Sequence, residues 1–496
     1  MWHTVKGFME WKVAGSPSQI QSGNVLYSKA ADVAMIMNKF FTNKVETLRK
    51  KFQGNISNLQ HYEKIMMNGQ CRLGLRYVPL SAVRKCLRKL KPSKSLAVDE
   101  LDSYSIKIAA DVIAPAVHHL ITLSIMQQKF PTLWKHATVL PLHKKGDLLE
   151  PKNYRPVSIL PPLSKVLERA VHDKIYSYFS TKKLFHPNLM GYRKDRSTMS
   201  TILQMYDRCV RGAGEGKYSG LVLLDLSAAF DLVKPDILIA KLKIYGLDEE
   251  FLLWMRDYLL DRKQAVWIDH TLSNWLPVNI GVPQGSILGP LLFVIFTNDL
   301  PYSLSCDLDM YADDSTLTST SCNISKVNSD LNINCAKVSS WMKENEQCLN
   351  ADKTHFMIVG TRKRLSKINQ DDRSKVSMDG HVLMESQGKI ENLLGVSIQS
   401  DLKWNSHIGE LQRKLKDRLH GLSQTMKFVS LGFRKILAEG LFTSVLNYCI
   451  PVWGGTDVGH LRELQILQNR AAEIVLNLPI RSHRNSMYDA LEWLTN

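Results

Sequence analysis

Tyr311-Ala312-Asp313-Asp314 places two adjacent carboxylates between β-prone runs, Leu308 to Tyr311 behind and Thr316 to Leu317 ahead. Upstream, Leu223-Leu224-Asp225-Leu226 puts a third carboxylate at the end of an apolar strand, and Gly281-Val282-Pro283-Gln284-Gly285-Ser286 lies between the two. Mg²⁺ is a hard cation that takes oxygen ligands, so carboxylates converging from separate segments can hold it. Two such ions roughly 3.5–4 Å apart can hold the attacking and leaving oxygens of an in-line displacement. If the strands bearing Asp225 and Asp313 are neighbours in one sheet, their carboxylates can share the ions. Asp314 points elsewhere on a strand unless it swings in at the turn. Taken alone, Asp313-Asp314 reads as a solvated acidic turn. Asp225 does not, because a carboxylate ending so apolar a strand needs a partner. Together the segments describe a two-metal site for nucleotidyl transfer, joining a primer 3′-hydroxyl to the α-phosphorus of a triphosphate.

Other residues fit the same chemistry. Phe230, five residues after Asp225, is bulky enough to close the space of a ribose 2′-hydroxyl and select deoxynucleotides; the plain alternative is a core aromatic. Gln284 can hydrogen-bond backbone or base edges where Gly281 and Gly285 let nucleic acid approach closely, and it equally fits a capped helix entry. Lys144, Lys145 and Arg155 are candidate triphosphate holders, since an Arg fork matches phosphate oxygens and Lys supplies a point charge. The ordinary reading of that run is a solvated loop. Lys353 is placed to protonate a pyrophosphate leaving group, although a Lys at a strand start is more often merely exposed. Arg413, Lys414, Lys416 and Arg418, with Lys427, Arg434 and Lys435, cluster on helical patterns and can track a duplex backbone through phosphate contacts.

The elements that must position these groups are legible in outline. Gly220 to Leu226 reads as a strand buried on both faces. Ala30 to Phe41, Lys44 to Phe52, Leu80 to Leu90, Ser103 to Gln128, Leu163 to Phe179, Ser286 to Asp299 and Asn323 to Gln347 carry helical spacing. Thr138 to Leu142, Lys353 to Val359 and Leu393 to Ile398 read as strands, with a basic turn at His143 to Asp147. Pro235 at a first turn, Gly246 at the far end and Asp248 as a cap bracket further helices. Asp379-Gly380 marks a hairpin. From Trp404 the pattern is helical to the end.

At 496 residues the chain calls for about two to four folded units. The 64 Lys and Arg against 47 Asp and Glu leave a charge of +17, which favours polyanionic partners, nucleic acid first. Eight scattered cysteines without a Cys-x-x-Cys pair argue against a zinc site and for free thiols in a reducing compartment. Met1 to Lys6 has no secretory pattern, and apolar runs such as Leu291 to Phe296 fall far short of the ~20 residues of a membrane span. This reads as an intracellular protein without a membrane partner. Oligomeric state leaves no mark.

In this order the residues resemble the reverse transcriptases of non-LTR (LINE-type) retrotransposons, from about residue 80 to the end. Lys144-Lys145-Gly146-Asp147 and Asn153 to Ser158 resemble the fingers motifs, Leu224 to Val233 the first palm motif, Gly281 to Pro290 the Gly-x-Pro-Gln-Gly motif, and Tyr311 to Asp314 the Tyr-x-Asp-Asp box. Leu349-Asn350-x-x-Lys353-Thr354 is similar to the fourth palm motif, Leu393-Leu394-Gly395-Val396 to the segment near the primer, and Phe442 to Trp453, with Tyr448, to the helical region after the palm. The resemblance implies an α+β right-hand polymerase with fingers, a ferredoxin-like palm and a helical thumb. It implies an N-terminal helical extension or linker over 1–70, fingers and palm over 71–403 and a thumb-like region over 404–496. It also implies RNA-directed DNA synthesis with two Mg²⁺ ions, or Mn²⁺ in their place. Asp225, Asp313 and Asp314 are then metal ligands and Lys353 joins them in catalysis. Lys144, Arg155, Phe230, Gln284, Gly285 and Tyr311 line the substrate site. An RNA template, a DNA primer at a nicked target and dNTPs are the partners, in nucleus and cytoplasm. The family's Gln-x-Gly-Phe reads Leu189-Met190-Gly191-Tyr192 here, and the loop Lys91 to Asp99 lacks the glycine usual before its Asp. The chain is read as a partial copy lacking an endonuclease and its C-terminal end. A non-catalytic nucleic-acid-binding remnant is the alternative, and Phe230 weighs against an RNA-templated RNA polymerase.

Overall fold

The computed structural model describes residues 16–50, 52, 72–95, 97–350, 353–369, 375–386, 390–425 and 429–493. It is a mixture of helices and sheets. The central sheet runs in the order Asp307–Tyr311, Asp314–Ser321, Tyr218–Leu224, His355–Val359, Met384–Glu385. Its pairs are antiparallel except the last. From Gly220 to Leu224 this strand is apolar because both faces are covered. Val222 and Leu224 enter one core with Leu288, Phe293 and Phe356, while Leu221 enters another with Met205, Met357 and Ile408. Gly220 is required by packing: a Cβ there would lie 2.6 Å from Leu331 Cδ1 and Val327 Cγ1 of the helix Ile324–Glu344.

A second sheet joins Tyr154–Ile159, His136–His143, Arg262–Ile268 and Thr271–Leu272, with Leu276–Val278 also pairing Arg262–Ile268. The helix Ala30–Arg49 covers it. Val33, Ala34, Met37 and Phe41 pack on Val139, Tyr154, Val266 and Ile268. The buried Asn38 amide donates to Ser273 Oγ and Asn274 O, each at 2.9 Å.

Some elements differ from expectation. The two helical stretches expected over Ala30 to Phe52 are one helix, Ala30–Arg49. Ser103 to Gln128 is broken at Ala109 (ψ 5°) into Ser103–Ile108 and Ala110–Met126. Leu393 to Ile398 is not one strand but part of a hairpin, Ile390–Leu393 against Val396–Gln399. The turn has Leu394 at φ +49° and Gly395 at +86°, and a left-handed leucine carries no local turn signal. The helix expected from Ser286 starts at Leu288, with the Ser286 hydroxyl outside it accepting from Gly289 N at 2.8 Å. The Asp379-Gly380 hairpin is present, both residues at positive φ, as a mirror-image turn demands.

Beyond Trp404, helices Asn405–Thr425, Leu431–Ala438, Val458–Leu476 and Arg484–Leu491 pack around the second core. Leu431–Trp453 is long and apolar enough to cross a membrane by length and composition alone. It turns through a left-handed Cys449 and buries Leu437, Leu441, Phe442 and Trp453 in this core. Seven cysteines among the described residues are free. Lys427 and all of the stretch between Phe52 and Arg72, Cys71 included, lie outside the described residues.

Candidate active site

The strand register builds the acidic centre. Tyr311 pairs with Asp314 across a two-residue turn, Ala312-Asp313, with Ala312 at φ +59°. Ser315 pairs with Leu224 on the neighbouring strand, so the next step of the same ladder sets Asp314 beside Asp225. Three carboxylates from two chain segments therefore meet at one end of the central sheet. Burial in the cleft, then the charges of Asp313 and Asp225, push the Asp314 carboxyl up to about 6. Asp314 still reaches solvent, so its dehydration is partial, and the crowding of like charge is the part a cation relieves. Among the described residues no three His, Cys, Asp or Glu side chains stand close enough to hold a metal as they are. The donors are all carboxylate oxygens, the ligand type that Mg²⁺ takes.

A turn from the far side clasps Asp225. Asp225 O accepts from Asn350 N at 2.8 Å, and Asp225 N donates to Thr354 Oγ1 at 3.4 Å. The same turn brings Lys353 Nζ to 4.0 Å from Asp225 Oδ2, with the Lys side chain 70% exposed. Lys144 and Arg155 sit at the end of the second sheet, where Lys144 N donates to Asn153 O and Arg155 pairs with Leu142. Partial burial, then the charges of Arg155, Lys44 and Lys353, hold the Lys144 ammonium below the ordinary lysine range, while Asp225 opposes them. The cations expected for phosphate thus share one field with Asp225. Lys44 joins them from the N-terminal helix, where no sequence motif marked it.

Aromatic rings and a backbone loop wall the cleft. Phe230 stacks on Phe293 at 4.4 Å and meets Tyr192 edge-on at 6.2 Å. Tyr192 belongs to the stretch that departs from the family pattern. Burial, then Asp313, pushes its phenol up, so it lies at the acidic centre. Gly191 packs directly on the turn: a Cβ there would be 2.3 Å from Ala312 N. Val282 N donates to Phe230 O and Gly281 N to Val233 O, each at 2.9 Å. Gly281 (φ +89°) would drive a Cβ to 2.8 Å from Asp231, and Gly285 (φ +97°) to 2.5 Å from Ser158 O.

The Gln284 amide, expected to meet backbone or base edges, instead donates to Asp231 Oδ1 at 2.5 Å. Burial pushes the Asp231 carboxyl up, and the Gln284 bond opposes this. Behind the loop, the fully buried Glu168 accepts from Ile287 N at 2.6 Å and Leu288 N at 3.4 Å. It closes the amino end of the helix Leu288–Thr297, where burial pushes its carboxyl up and the Ile287 N–H opposes this. Asp231 and Glu168 escaped the sequence reading because a carboxylate's buried partners are set by tertiary packing. Arg413, Lys414 and Lys416 are exposed on the helix Asn405–Thr425, away from the carboxylates in sequence, and Arg418 is half-buried.

Comparison with known proteins gives the same reading from an independent direction. A relative described as "Probable RNA-directed DNA polymerase from transposon BS" of Drosophila melanogaster is 27% identical over 463 residues, 88% of this chain and 49% of the relative. "RNA-directed DNA polymerase from mobile element jockey" of the same organism is 25% identical over 422 residues, 83% of this chain and 45% of the relative. Its namesake in Drosophila funebris is 27% identical over 462 residues, 88% of this chain and 48% of the relative. The chain spans about half the length of the curated relatives it matches. The resemblance to non-LTR retrotransposon polymerases drawn from the ordered motifs is borne out. The family profile described as reverse transcriptase (RNA-dependent DNA polymerase) matches residues 142–398, just over half of the chain. That span holds the Asp225 strand, the Tyr311–Asp314 hairpin and the Gly281–Gly285 loop, and this chain belongs to the reverse transcriptase family.

Proposed function

We propose that this chain is an RNA-directed DNA polymerase of a non-LTR retrotransposon, extending a DNA primer on an RNA template with dNTPs. The observation that carries the reading is the strand register that sets Asp225 beside the Asp313-Asp314 hairpin at one end of the central sheet. In this reading the central sheet is the palm, the second sheet and its helices the fingers, and the helices after Trp404 the thumb. The three carboxylates would hold two Mg²⁺ ions, which when bound activate the primer 3′-hydroxyl and neutralise the leaving pyrophosphate.

The protein's own groups do the remaining work. Lys144 and Arg155 bind the triphosphate, and their mutual repulsion is relieved when its anionic oxygens arrive. Lys353, exposed and 4.0 Å from Asp225, is placed to donate a proton to the leaving group. Phe230, held by its stack on Phe293, walls off a 2′-hydroxyl, and Tyr311 borders the same nucleotide. Gln284, fixed by Asp231, and Gly285 present a rigid edge to the templating pair. Arg413, Lys414, Lys416 and Arg418 contact the duplex backbone in a salt-dependent manner. The nucleus and cytoplasm are the places of action.

The test is primer extension on an RNA template with dNTPs and Mg²⁺, comparing the chain with Asp313→Ala. Templated extension abolished by the substitution supports the reading. Folded wild-type protein that binds RNA without extending a primer refutes it and leaves a binding function.

A further inference from the structure

Tyr448 sits where three parts of the molecule meet. It lies in the C-terminal helical region just before Cys449, whose left-handed backbone (φ +54°) turns the chain. Its ring packs on the hairpin Ile390–Gln399, close enough that a Cβ on Gly395 would be 3.4 Å from Tyr448 Cε1. Its hydroxyl lies 2.6 Å from Leu394 O and 3.0 Å from Thr198 Oγ1. A phenol has one proton to donate. Leu394 O is acceptor only and closer, so Tyr448 donates there and the Thr198 hydroxyl donates to Tyr448 Oη. The backbone of Tyr448 is fixed as well, its carbonyl accepting from Trp453 Nε1 at 2.8 Å.

Thr198 opens the helix Thr198–Gly214, whose Ser197 cap is reinforced by a reciprocal Ser197–Ser200 pair. Further along this helix, Gln204 donates to Asp309 Oδ1 at 3.2 Å, and Arg208 forms an ion pair with Asp309. Asp309 is buried, four residues before Asp313 on the strand that carries the acidic turn. A continuous line of hydrogen bonds and one rigid helix therefore joins the Leu394-Gly395 turn to the catalytic hairpin, and Tyr448 is its junction. Tyr448 is 40% exposed, so this junction reaches solvent rather than lying in the core.

We infer that Tyr448 is a positioning residue: through Leu394 and Thr198 it locks the Ile390–Gln399 hairpin in register with the Asp313 turn, and so sets where the primer end of a bound duplex lies relative to the carboxylates. The inference rests on the polymerase reading above and on the resemblance of Leu393-Leu394-Gly395-Val396 to the segment near the primer. A leucine in a left-handed turn has little local reason to hold one orientation, and the phenol supplies that reason.

The experiment compares Tyr448→Phe, Thr198→Val and the double variant in the full chain. One readout is binding of a fluorescein-labelled DNA primer on an RNA template, measured by anisotropy without nucleotides. The others are extension kinetics and the unfolding midpoint. Where the lost hydrogen bond acts wholly through the hairpin's placement of the duplex, its contribution corresponds to about fivefold to tenfold weaker binding. Tyr448→Phe is expected to show that loss, with a matching rise in KM for the duplex, unchanged KM for dNTP and an unfolding midpoint within about 2 °C of wild type. The double variant is expected to be less impaired than the product of the single effects, because both act through one junction. Duplex binding and extension by Tyr448→Phe equal to wild type would overturn the inference. So would a lowered unfolding midpoint with both KM values raised alike, the mark of a merely structural role. A wild-type chain that binds duplex but does not extend it fails the polymerase reading alone, and the anisotropy comparison still decides Tyr448.

Discussion

Gly191→Ala tests whether the acidic turn is held from behind. A Cβ at residue 191 would lie 2.3 Å from Ala312 N and 3.1 Å from Ala312 Cα and Tyr311 C. These are backbone atoms and cannot rotate away. The opposing segment cannot retreat freely, because Met190 N donates to Met310 O at 2.8 Å and Met310 N to Asn188 O at 3.0 Å. Restoring ordinary contact, 3.4 Å or more, requires the Ala312-Asp313 turn to shift by about 1 Å, carrying Asp313 with it. A misplacement of about 1 Å at reacting groups costs on the order of 100-fold in rate, or roughly 2.7 kcal/mol of transition-state stabilisation. The hydrophobic core is untouched, so the strain should cost about 1–3 kcal/mol of stability and leave the protein folded. Single-turnover extension by one nucleotide, with circular dichroism and a melting curve alongside, separates the two effects. Extension within threefold of wild type by a folded Gly191→Ala protein would show that Gly191 does not govern the Asp313 turn.

Two further expectations concern the frame around the site. Glu168→Ala strands the Ile287 and Leu288 N–H groups, which the buried carboxylate now satisfies, and should destabilise the chain by about 3–5 kcal/mol; Glu168→Gln, which keeps one acceptor, should recover much of this in thermal unfolding, and equal losses for both would refute the capping role. Burial first, then Lys414, with Glu410 opposing, holds the His407 imidazole down to about 4, beneath its 3.3 Å bond from Ser397 N. Its folded pKa lies below the unfolded value, so the unfolded chain binds the extra proton between about pH 6.5 and 4 and stability falls as pH drops through that window. The full effect is about 3 kcal/mol; a His407→Gln protein should lose less stability than wild type between pH 7 and 4, and parallel losses would refute the assignment.

The residues that name the chemistry were legible because each depends on local pattern. Asp225 ends a run apolar enough to be buried on both sides, Asp313-Asp314 interrupts two β-prone runs, and Gly281 and Gly285 frame a Pro-Gln turn. Their order along the chain carried the family resemblance, which the profile over residues 142–398 sustains. The paired strands followed from period and propensity, since a strand covered on both faces announces itself in composition.

Tertiary structure decided what those residues touch. Apolar and β-prone runs told that Asp225 ends a strand and Asp314 belongs to a hairpin, but only the Ser315–Leu224 register makes them neighbours, because register is settled by packing across the sheet. The hairpin turn at Leu394 was hidden because left-handed leucine is imposed from outside, by Tyr448 and the strands it joins. Gln284 gave its amide to Asp231 and Glu168 closed a helix 119 residues away, contacts between segments distant in sequence. A sequence states which side chains can perform nucleotidyl transfer; long-range pairing and the burial of their partners determine which of them stand together.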